Sequence, residues 1–179
     1  MSNTYTKQVR VDGSRVLVLD IYGVADATGN ETLYPILDMA DYNPVVGEKI
    51  SKILKIKEIY YALSAGVQIR LFWEGSGSPE LFAVLTAAHN HEIDWKKVGG
   101  VTNAQVPGAT GRILMTTIGF DAANDLFHMQ LCINKRLKTS EQNDVGHQPV
   151  NPQTGAGHSD GTPVGTPQGN PPTGALERT

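Results

Sequence analysis

His89 and His91, separated by one residue and followed by Asp94, are the side chains in this sequence best suited to hold a divalent metal, since imidazole and carboxylate are ordinary ligands for such ions. On a strand, positions 89 and 91 share a face and could chelate. The spacing supplies no third ligand, and His-x-His between two strands reads as a solvated loop, so no metal is expected. Gly108-Ala109-Thr110-Gly111 has the outline of a phosphate-cradling loop, but such a loop works by opening a helix. Here it opens a strand pattern, without a following Lys-Ser or Lys-Thr and without an acidic residue at nucleotide-binding spacing. It is read as a turn, as is Gly99-Gly100, where backbone freedom is the requirement.

Cys132 and His128 share a face of one strand pattern, which suggests a thiol and its base. Four residues along a strand span about 13 Å, too far for proton transfer. Trp73 and Trp95 could stack on a sugar. Trp73 stands in register with Val67, Ile69 and Leu71, and Trp95 shares the parity of Ile93, so both read as anchors of the core or of an interface. No catalytic residue and no cofactor is expected.

The elements that position these side chains are strands. Residues 67–74 alternate with Val67, Ile69, Leu71 and Trp73 on one face, the period of a half-buried strand. Ser76-Gly77-Ser78-Pro79 then turns the chain into residues 81–85, giving an antiparallel hairpin. Residues 53–63 form a strand ahead of it. At the start, residues 9–11 and 15–22 flank Asp12-Gly13-Ser14 as two more strands. At the end, residues 113–118 and the alternating Phe127, Met129, Leu131 and Ile133 add another pair. A short strand at 92–96 brings the count to about eight, and such spacing favours an antiparallel β-sandwich or jelly roll. Residues 31–42 carry Leu33, Ile36, Leu37 and Ala40 at helical spacing, interrupted by Pro35. They read either as one or two helical turns or as an irregular connection that lays apolar side chains across an open end of the sandwich.

Composition agrees with one all-β domain. The 179 residues include 19 Gly and 10 Pro, and 18% are charged, few for a soluble domain. Fifteen basic residues against 18 acidic ones, with the basic ones scattered, give no stripe for a phosphate backbone, so direct binding of nucleic acid is not expected. With Cys132 as the single cysteine, an internal disulfide is excluded. A polar start and the lack of any apolar run near the length of a bilayer predict a soluble, untargeted protein without membrane contact.

The expected organisation is an N-terminal arm at residues 1–7, a sandwich at 8–137 and a low-complexity tail at 138–179. The tail loses its aromatics and alternates Pro with Gly, repeating Gly-Thr-Pro between Gly161 and Gly169. Such a composition buries too little apolar surface to offset chain entropy, and by itself it would not fold. It predicts protease cleavage near residue 140 in the isolated protein and protection there in an assembly.

Three segments taken in order resemble a family of small virion structural proteins of tailed bacteriophages. They are Arg70-Leu71-Phe72-Trp73-Glu74, Gly99-Gly100-Val101-Thr102-Asn103, and the strand that runs from Gly108-Ala109-Thr110-Gly111-Arg112 through the paired Thr116-Thr117 to Phe120. The resemblance covers about residues 50 to 137. It implies a capsid decoration, or cement, protein: a β-sandwich, often trimeric, that bridges major-capsid subunits of a virion assembled in the host cytoplasm. The Pro/Gly/Thr tail and the segment at residues 31–44 depart from the pattern. Tyr60, Tyr61 and Phe72 are the residues expected at a subunit contact, because their strands already supply core side chains on the opposite face, and Trp95, read above as an anchor of the core or of an interface, is a further candidate there. Two other roles remain open at this point. One is a neck or tail component of the same particle, and the other is a carbohydrate-binding attachment module with Trp73 or Trp95 as its platform.

Overall fold

A computed structural model of the full chain describes residues 3–45, 50–88 and 91–136. The chain divides into two units, Met1–Lys138 and Thr139–Thr179, and every described residue belongs to the first. The expected tail at 138–179 therefore lies outside the described residues.

Among the described residues ten strands form two antiparallel sheets: β1 (Thr4–Asp12), β2 (Val16–Val24), β3 (Tyr34–Asp38), β4 (Ile53–Leu63), β5 (Gln68–Trp73), β6 (Glu80–Thr86), β7 (Glu92–Asp94), β8 (Val101–Thr102), β9 (Arg112–Ile118) and β10 (Leu126–Arg136). One sheet runs β1-β2-β10-β4-β7, with β8 also paired to β4, and the other runs β3-β9-β5-β6. The pairs β2 with β10, β3 with β9, β4 with β7 and β5 with β6 are nested one inside the next. A single long hairpin folded over itself produces that nesting, which makes the sandwich a jelly roll. The eight strands expected from the sequence are all present, and β3 and β8 are additional.

Alternation along the strands sets the core. Leu17, Leu19 and Ile21 of β2, Ile69 and Leu71 of β5, and Met129, Leu131 and Ile133 of β10 are fully buried between the sheets. In β4 the alternation slips by one residue, because Lys57 is extra where Cys132 pairs with Glu58 and Ile133 with Ile56. This β-bulge lets Leu54 and Ile56 point inward before it and Ile59 and Tyr61 after it.

Residues 34–38 are a strand rather than helical turns or an irregular connection. The ladder to β9 shifts register between Pro35 and Leu37, and the resulting bulge turns both Ile36 and Leu37 into the core. Two adjacent apolar side chains on one face imitate a helical stripe. Pro35 is tolerated because β3 is an edge strand. The strand ends in a single 3-10 turn, Met39–Asp41, capped by Asp38 Oδ1, which accepts from the Ala40 amide at 2.9 Å.

Of the expected arm at residues 1–7, the described part, residues 3–7, is built into the sandwich. Thr4 to Lys7 pair with residues 21–24 of β2, and Asn3 is buried, donating to the Gly29 carbonyl at 3.1 Å and to Glu31 at 2.9 Å. At the other end, the fully buried Lys135 ammonium donates to Asp12 at 2.7 Å, to the Gly13 carbonyl at 2.8 Å and to the Asn43 carbonyl. Three acceptors satisfy a cation that would otherwise be costly to bury. They join the end of β10 to the β1–β2 turn and to the loop after the 3-10 turn.

Candidate functional site

The turns singled out by the sequence are structural. Gly111 has φ +84°, and a Cβ there would lie 2.5 Å from the Ser51 carbonyl oxygen, so the loop closes against residue 51 only because the side chain is absent. Asn103, fully buried, accepts from the Leu54 amide at 2.8 Å and donates to the Lys52 carbonyl at 2.9 Å. The Thr116 and Thr117 hydroxyl oxygens accept from the amides of Leu33, at 3.1 Å, and Glu31, at 2.7 Å. Arg112 bridges Asp38 at 2.6 Å and Glu74 at 3.7 Å. These residues hold connections to the sandwich.

The outer face of the six-stranded sheet carries a polar network built on two buried carboxylates. Asp20 of β2 is 2% exposed although it points away from the core. It accepts from Arg10 at 2.5 Å and from Gln130 at 2.7 Å. Burial pushes its carboxyl up, but the bonds from Gln130 and Arg10 more than offset this and hold it below the usual range. Glu58 of β4, 5% exposed, accepts from the Lys96 ammonium and the Tyr60 hydroxyl. Those two donors keep its carboxyl low, and in return Glu58 pushes the Tyr60 hydroxyl up to about 12. Between the two carboxylates lies Cys132, whose thiol is pushed up first by burial and then by the charge of Glu58.

Beside this network the face becomes apolar. A cavity of about 410 Å³ opens across β2, β10 and β4, lined by Tyr22, Val24, Ala62, Ser64, Leu126 and His128 among others. Leu126 is 51% exposed and Val24 41%, while the Tyr22 and His128 rings stack 4.5 Å apart. The sequence offered one signal for this surface: apart from Asp20, the outward parity of β2 is also apolar or aromatic, with Val16, Val18, Tyr22 and Val24.

The expected contact residues do not form one surface. Tyr60 faces outward on the six-stranded sheet. Phe72 faces outward on the four-stranded sheet, opposite Leu81 and Leu114. Trp95 packs half-buried against the core at the rim. Tyr61 corrects the expectation outright: adjacent strand residues point to opposite faces, so with Tyr60 outside, Tyr61 is core and 4% exposed. Trp73 is 1% exposed and stacks on Phe82 at 4.0 Å, which removes it as a sugar platform.

His89 lies outside the described residues. The His91 carbonyl accepts from the Tyr61 amide at 2.8 Å. Asp94 instead joins Glu58 and Glu92, with carboxylate oxygens within 4.8 Å of one another. The Lys96 ammonium on Glu58 already partly neutralises this trio. Among the described residues no helix is long and apolar enough to cross a membrane.

No protein-family model matches this chain, and no curated protein matches it.

Proposed function

We propose that this chain is a virion structural protein, a capsid decoration protein whose sandwich adheres to neighbouring major-capsid subunits and does no bond chemistry. The observation that carries this reading is how the motif residues are used. Asn103, Arg112, Thr116 and Thr117 are spent on holding connections, while exposed apolar side chains gather on outward faces, as Val24 and Leu126 do around the cavity. A jelly roll is among the folds that capsid proteins use, and apolar surface on an outer face is what an adhesive module requires. A protein that binds only the assembled lattice stabilises it by mass action, and repeated copies multiply the effect through avidity.

Copy number in purified particles, measured by quantitative mass spectrometry, tests the role. Hundreds of copies per particle are expected for a decoration protein. About a dozen or fewer, matching a ring at the neck, would place it in the head-to-tail region or tail instead. Its absence from purified particles would overturn the virion assignment altogether.

A further inference from the structure

The outer face of the four-stranded sheet carries a second apolar surface, and its charges are arranged symmetrically about one residue. Pro35, Leu114, Phe72 and Leu81 stand opposite one another on four successive strands, forming a stripe that crosses the sheet from edge to edge. Leu81 is 49% exposed, Pro35 is exposed and Phe72 half-buried, while Leu114 is buried beneath them at 7% exposed, so the accessible apolar area comes from Pro35, Phe72 and Leu81. Along β5, Arg70 lies two residues before Phe72 and Glu74 two residues after it, each about 6.6 Å away on the same face. Glu74 continues the ladder, since its amide donates to the Arg112 carbonyl at 3.3 Å.

The two sides of the stripe carry opposite charge. On one side Asp38 and Glu74 flank Arg112, two carboxylates and one guanidinium, a net charge of −1. On the other, Arg70 donates to Gln68 at 3.1 Å and makes no ion pair among the described residues, leaving +1.

We propose that two copies of this chain pack face to face through this sheet, about a two-fold axis that runs along the stripe and passes Phe72. Rotation about that axis reverses the strand direction in the second copy. Arg70 of each copy then meets Glu74 of the other, and the apolar stripe meets itself, as an isologous contact requires. Sliding one copy along its strands sets Arg70 against apolar side chains, so the charges also fix the register. Four strands about 4.8 Å apart give a face of roughly 450 Å² per copy, smaller than the roughly 800 Å² of a standard interface. The dimer is therefore one that dissociates on dilution. It is two-fold, where the resemblance implies a trimer, and it does not depend on the virion reading.

Sedimentation equilibrium of the full chain over a range of concentrations tests it. A monomer–dimer equilibrium is expected, weakened at least tenfold by Arg70→Glu and separately by Glu74→Arg. Mixing the two variants should restore association, because the acidic pair of one faces the basic pair of the other; recovery also shows that both variants are folded. A full chain that stays monomeric or forms trimers overturns the proposal, as do single variants that dimerise like the parent. Failure of the mixture to recover does so too. A monomer whose Phe72→Ser variant loses contact with another virion protein would assign this face to that partner and equally overturn it.

Discussion

Glu58 of β4 stands directly opposite Cys132 of β10, at the step where Lys57 bulges out of the ladder. Burial pushes the thiol up, and the nearly inaccessible, ionised carboxylate adds to it. The thiolate is the nucleophile, so Cys132 should be inert. Alkylation by iodoacetamide at pH 8 is expected to run at least about tenfold slower than for a free cysteine. Glu58→Gln should accelerate it. A rate equal to that of free cysteine would contradict the placement.

Acid sensitivity follows from the same carboxylates. The Lys96 ammonium and the Tyr60 hydroxyl hold Glu58 low. For Asp12 and Asp20 burial pushes up, but the donors outweigh it: Lys135 and the Asn43 amide for Asp12, Gln130 and Arg10 for Asp20. All three carboxyls bind protons more weakly folded than unfolded. Their stabilisation is therefore complete above the ordinary carboxylate range and lost as pH falls through the depressed folded values. Tm should hold from about pH 7 to about pH 5 and fall steeply below about pH 4. Glu58→Gln should lower Tm at pH 7 and flatten the acid limb, whereas an unchanged Tm down to about pH 2.5 would contradict this.

Lys135 is the most demanding buried group. Its ammonium is fully enclosed by Asp12 and two carbonyls, so Lys135→Ala leaves acceptors without a donor. The expected cost is about 3 kcal/mol, measured by urea denaturation. A change under about 0.5 kcal/mol would mean that water satisfies these groups in the variant.

Gly23 tests the packing between β2 and β10. A Cβ built there would lie 2.1 Å from the ring of Phe127, which is itself buried. Gly23→Ala must displace that ring, at an expected cost of about 2 kcal/mol. A neutral result would show that the ring has room to move.

Much of the fold is legible because burial on one face imposes a period of two. Leu17, Leu19 and Ile21, and likewise Met129, Leu131 and Ile133, announce β2 and β10. Bulges defeat the same rule. At Ile36 and Leu37 the extra residue puts neighbours on one face, and at Lys57 it leaves Glu58 and Ile59 both buried for opposite reasons. Tyr60 and Tyr61 could not both face outward, and strand parity alone should have separated them. Other features arise only when distant segments meet. The Asp20–Arg10–Gln130 network draws on three strands, and Lys135 reaches Asp12 across 123 residues. Neither leaves a local signature.

Adhesion within a virus particle is the role proposed for the outward faces of this sandwich. A particle reconstruction tests it most directly. The expected result is jelly-roll density on the head lattice, with Tyr22, Val24 and Leu126 of the six-stranded sheet against major-capsid subunits. Density for this chain at no position in the particle, or a sandwich whose six-stranded face is turned to open solvent in every copy, would contradict it.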